Sequence, residues 1–187
     1  MVPVTSLIVP ILLAAVAVFV VSSLIHMVLR YHKNDFSAMP SEKGVAEALR
    51  PFEIPPGEYV IPYAASPKEM ETPEYKERLE KGPVAFVTVM PNGSFSMGRS
   101  LLLWFLYSVF VGLFSAYITG HALGPGAPYL AVHRFAGCVA FVGYSLALIQ
   151  NSIWYKRKWS TTLKSLFDGL VYGGMTGGVF GWLWPAA

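Results

Sequence analysis

Three histidines and one isolated carboxylate are the residues of this chain best suited to binding or titration. His121 closes one apolar stretch and His133 opens the next. On antiparallel neighbouring helices such a pair would sit at similar depth, where two imidazoles can serve as axial ligands to haem b or as part of a metal site. Only two ligands are legible and no tight spacing accompanies them, so ordinary interfacial histidines are the plainer reading. Asp168 is the only acid after Glu80 and lies about two turns into the fourth expected helix. Buried, ionised and unpaired, it would cost several kcal/mol. It therefore calls for a partner: Lys164 one turn earlier, the Lys156–Lys158 run, or Gln150 and Asn151. It reads either as a lock on the last helix pair or as the titrating group of a small transporter or channel. His26, near the end of the first apolar stretch, reads as a cap on helix carbonyls or a headgroup contact. Arg134, beside His133 at a helix start, reads as a snorkelling base or an anion contact.

No phosphate-binding glycine loop or nucleophile motif accompanies these residues, so the sequence assigns no catalytic residue and no metal. Cys138 is the single cysteine and excludes a disulfide within the chain.

The elements that must position these groups are apolar. Hydrophobic residues make up 54% of the 187 and charged residues only 13%, about half the usual share for a soluble domain. Four stretches have the length to cross about 30 Å of hydrocarbon, at Leu7–Leu29, Ser100–Gly120, Phe135–Trp154 and Ser165–Trp184. The first has no basic residue before it and too long a core for a signal peptide, so a retained helix is expected. The net charge of +3 comes from bases beside apolar stretches and points to membrane orientation, not to nucleic acid. Arg30, Lys33, Arg99, Lys156, Arg157, Lys158 and Lys164 fall on one side and Arg134 alone on the other. The positive-inside rule then puts both termini outside. Trp104, Trp154 and Trp159 fall at the inner interface, and Trp182 and Trp184 at the outer.

Gly169, Gly173, Gly177 and Gly181 recur every four residues on the last stretch, a glycine-zipper strip bare of side chains. Ser108, Gly112, Ala116 and Gly120 repeat the spacing on the second stretch, and Ala136, Ala140, Gly143 and Ala147 give a looser version on the third. Glycine is costly within a helix unless another backbone packs on it. The strips read either as the packing of one four-helix bundle or as a surface for self-association or another membrane subunit.

Residues 31–98 form a different material, acidic and proline-rich, between the first helix (1–30) and a three-helix region (99–187). The spacing predicts helices at Ser41–Arg50 and from Thr72 to Gly82. Val84–Val89 reads as a strand turning at Pro91-Asn92-Gly93 onto Ser94–Met97, with Tyr59–Tyr63 as a possible third. The segment is either a connector or a docking surface for a cytoplasmic partner.

Two runs, MPNGSFSMGRSLLLWFLYSVF within Gly82–Tyr117 and the later QNSIWYKRKWSTTLKSLFDGLVYGG, resemble a family of small bacterial membrane proteins without an assigned function. The resemblance spans Gly82 to the C-terminus and implies four spans in a bacterial inner membrane, with no substrate, cofactor or catalytic residue. The expected fold class is an all-α membrane protein with four transmembrane helices and a small cytoplasmic α+β segment between the first two. The expected role is a non-catalytic accessory subunit in the lipid bilayer. A haem-binding electron carrier and a small transporter are the alternatives.

Overall fold

The computed structural model describes residues 1–94 and 96–187. In chain order its elements are α1 (Ile8–Leu24), α2 (Glu42–Leu49), β1 (Gly57–Ile61), α3 (Pro67–Met70), α4 (Pro73–Lys81), β2 (Ala85–Val89), α5 (Met97–Ala122), α6 (Tyr129–Tyr144), α7 (Ile149–Ile153) and α8 (Trp159–Trp182). They fall into two units, Met1–Phe36 with Ser96–Ala187, and Ser37–Phe95.

The first unit is a helical bundle. Three of its helical stretches, Val4–Leu29, Met97–Ala122 and Tyr129–Ile153, are long and apolar enough to cross a membrane. α8 has comparable length at 24 residues, but its glycines, Lys164 and Asp168 dilute its apolar character. The third stretch departs from the single helix expected over Phe135–Trp154. It starts at Tyr129 and breaks at Ser145, whose φ of −144° is not helical. Both the N–H and the hydroxyl of Ser145 bond to the Phe141 carbonyl at 3.0 Å. A tighter turn at Leu146–Leu148 then leads into α7. A back-bonding serine is a known way to bend a helix.

α8 packs along α6, α1 lies on α5 and α8, and α5 lies on α6. The glycines explain how closely. A Cβ on Gly173 would stand 2.8 Å from the Gly137 carbonyl oxygen, and one on Gly177 2.5 Å from that of His133. Gly169 meets the Ser145 side chain, and Gly181 would meet the Tyr129 ring at 2.7 Å. The α8 strip is thus taken up by α6 of the same chain. On α5, Gly112 faces Ile11 and Gly120 faces the Val2 carbonyl, while Gly174 of α8 has nothing within 4 Å. Leu7, Val18, Val132 and Phe180 fill the remaining core. Toward one end an aromatic cluster takes over. Trp104, Tyr144 and Tyr172 lie with ring centroids 5.4 to 5.9 Å apart, and Trp104 Nε1 donates to Ser22 Oγ at 2.9 Å.

The second unit holds the sheet. β1 and β2 pair antiparallel from Gly57↔Val89 to Ile61↔Ala85. The strand expected at Val84–Val89 therefore pairs with the segment before α3, and α5 already begins at Met97. Of the expected return strand Ser94–Met97, Phe95 lies outside the described residues. Thr72 caps α4 by accepting from the Tyr75 N–H. Ser41 precedes α2 with φ of 51° and makes no side-chain cap.

Candidate functional site

A group of ionisable side chains gathers where α1 ends against the start of α8. α1 loosens at Ile25–Leu29 into a wider π turn, closed by the Arg30 N–H bonding back to the Ile25 carbonyl at 3.2 Å. Arg30 itself is left-handed, with φ of 50°, a conformation that costs a non-glycine residue about 1 kcal/mol. It stops the helix, and one tight turn at Tyr31–Asn34 carries Tyr31, His32 and Asp35 toward α8. On α8, Lys164 and Asp168 stand one turn apart and share a face.

The resulting network is continuous. Lys164 Nζ donates to Asp35 Oδ1 and to the Tyr31 carbonyl, both at 2.7 Å. His32 Nδ1 donates to Asp35 Oδ2 at 2.6 Å, and its Nε2 lies 2.8 Å from Asp168 Oδ2. The Tyr31 hydroxyl donates to the other Asp168 oxygen. Both carboxylates are well covered, with side-chain exposures of 7% for Asp35 and 6% for Asp168. Burial opposes the charge on Asp35, but the hydrogen bonds from Lys164 and His32 outweigh it and hold the carboxyl below its ordinary range. His26 completes the group. Its Nδ1 donates to the Ser22 carbonyl at 2.9 Å, and its ring stacks on His32 with centroids 4.7 Å apart and planes 6° from parallel.

One ligand atom from each of His26, His32 and Asp168 lies within 4.8 Å of the others. An apolar groove of about 500 Å³ opens beside them, lined by Ser22, Ser23, His26, Met27, Leu101 and Trp104.

Asp168 thus finds its partners in Tyr31 and His32, not in Lys164, the Lys156–Lys158 run, Gln150 or Asn151. Lys164 is drawn instead to Asp35. Asn151 uses its carbonyl to hold the Tyr155 and Arg157 N–H groups at the α7 corner. His121 bonds its own Tyr117 carbonyl at 2.7 Å and packs on the Tyr117 ring. His133 stacks on Tyr129, and its Nδ1 is buried with no hydrogen-bond partner among the described residues. Each of these two engages its own helix. Arg134 is exposed.

Sequence reasoning missed Tyr31, His32 and Asp35. Their only signal is a polar run after the first apolar stretch, and nothing in it points across more than a hundred residues to Asp168. Compared with known proteins, the chain matches no family model, no curated protein and no solved structure.

Proposed function

We propose that this protein is a four-span integral membrane protein acting as a non-catalytic accessory subunit that binds a partner polypeptide through Ser37–Phe95. The observation that carries the reading is the coreless state of that unit. Among its described residues only Pro62 is buried, while Phe52, Tyr63, Val84 and Phe86 are more than half exposed. A two-stranded sheet with short helices does not hold itself together in water, and apolar exposure on this scale marks an interaction surface. The unit carries nine acids and six bases, a net charge of −3, so the anionic face of a bilayer would repel it. A polypeptide is the better cover. Its seat is a groove of about 700 Å³ walled by Leu49, Ile54, Pro55 and Val89, with Arg50 and Glu53 at hand for polar contacts.

The fourth span is α8, whose Asp168 and Lys164 are spent on the polar network at one end. The distribution of bases supports termini on the outer side and Ser37–Phe95 on the cytoplasmic side, and the family resemblance supports a bacterial inner membrane. Gentle extraction from native membranes and mass measurement of the intact assembly test the proposal. A second polypeptide should travel with the chain and be lost when residues 37–95 are replaced by a flexible linker. A chain that runs alone and crosslinks to no neighbour would overturn it.

A further inference from the structure

We propose that His26, His32 and Asp168 form a binding site for one divalent first-row transition-metal ion, held by two imidazole nitrogens and one carboxylate oxygen. Each ligand is already oriented by a neighbour. The Ser22 carbonyl takes the Nδ1–H of His26, so Nε2 keeps its lone pair. Asp35 takes the Nδ1–H of His32 at 2.6 Å and turns Nε2 toward Asp168. Tyr31 holds the far oxygen of Asp168 and leaves Oδ2 facing His32. A histidine ligand whose other nitrogen donates to a carboxylate or a backbone carbonyl is the usual outer-shell arrangement of a metal site. Here both histidines have it, and the carboxylate ligand is fixed as well.

Without metal, His32 Nε2 and Asp168 Oδ2 face each other across 2.8 Å. An ion would sit between these two atoms, and any proton they share would leave to solvent. Lys164, bonded to Asp35, offsets one of the two carboxylate charges and leaves that of Asp168 to face the ion. With bonds near 2 Å, tetrahedral ligand atoms stand roughly 3.3 Å apart, so the 2.8 Å pair of His32 and Asp168 must open, the rest of the 4.8 Å group must close, and the stacked rings must tilt. The loosened turn at Ile25–Leu29 is where a helix gives most readily. Exposed His26 and the apolar groove beside it leave a fourth position open on the accessible side. Two imidazoles and one carboxylate suit zinc or ferrous iron.

The test uses the full-length protein in detergent, stripped with chelator and titrated with Zn²⁺, with bound metal measured after gel filtration. One ion per chain is expected, lost in His26→Ala and Asp168→Asn and kept in His121→Ala. His26 is exposed, so His26→Ala should keep its helical circular dichroism and remains informative if Asp168→Asn fails to fold. Asp35→Asn, which touches a positioning residue only, should keep the stoichiometry while weakening affinity about 10- to 100-fold. No stoichiometric uptake, or uptake that survives His26→Ala, would overturn the site.

Discussion

The two units of this chain solve the problem of burial in opposite ways. In the bundle, backbone meets backbone along glycine strips, and at one end His32, Asp35, Lys164 and Asp168 bond to one another. In Ser37–Phe95 the local elements are sound, with a capped α4 and a paired β1 and β2, yet almost nothing is covered. Local regularity is thus available to both, and only the bundle has tertiary closure. What separates them is whether small residues let large surfaces meet. α8 brings glycine to α6 at four successive turns, whereas the second unit spreads its large apolar residues over short elements that cannot enclose them.

The sharpest way to break this contrast is to thicken the α6–α8 contact. Gly173→Leu or Gly177→Leu pushes a side chain into the opposing backbone, which cannot yield as a side-chain tip can. The helices would have to separate, and we expect loss of the folded state in detergent, beyond the 1–3 kcal/mol of ordinary overpacking. Gly174→Ala is the matched control. That site is open, and alanine gains about 1 kcal/mol of helix propensity. Thermal unfolding followed by circular dichroism separates the two. Equal melting points for Gly173→Leu and the parent would show that α6 and α8 do not meet as described.

A smaller effect is expected at the polar end. Asp35 keeps its charge because Lys164 and His32 hold it, and its carboxyl lies below its ordinary range. It therefore stabilises the fold fully above the unfolded value of about 3.9, and that contribution is lost as pH falls through the lower folded value. Asp35→Asn should cost about 1–3 kcal/mol at neutral pH, as expected for leaving covered polar groups unpaired. Its melting temperature should also be flatter than the parent's below about pH 4. The two curves should converge in acid. Parallel curves would remove Asp35 from the network.

How far the sequence foretold this division varies by element. The first, second and last apolar stretches, α4 with its Thr72-Pro73 start and the β2 strand are written in local periodicity and turn chemistry, and each helix or strand appears close to where expected. Glycine spacing announced a bare strip on the last helix, but not which helix would lie in it. The break at Ser145 had no herald, since its cause is a side chain bonding its own backbone against Gly169. The polar network was half legible. Asp168 demanded a partner, and the nearest cations along the chain were the natural choice. The actual partners arrive because α1 loosens and Arg30 turns left-handed, neither of which hydropathy records. The earlier strand was foreseen only as a third member at Tyr59–Tyr63, because the near turn at Pro91-Asn92-Gly93 offered β2 a closer partner than the one it takes.

The least perturbing change tests the other half of the comparison. Phe52 is 73% exposed on the short turn after α2, so Phe52→Asp removes no buried contact within the chain. Surface changes of this kind usually move stability by less than about 0.5 kcal/mol, and the bundle should melt as before. If Ser37–Phe95 is covered by a partner polypeptide, the same change places a charge in that interface, and the partner should be lost on gentle extraction. Stability and association then move independently, which is the signature of a unit whose missing core is supplied from outside. Were Phe52→Asp instead to lower the melting point of the purified chain by several degrees, the second unit would have found its cover within this molecule, and the contrast between the two units would dissolve.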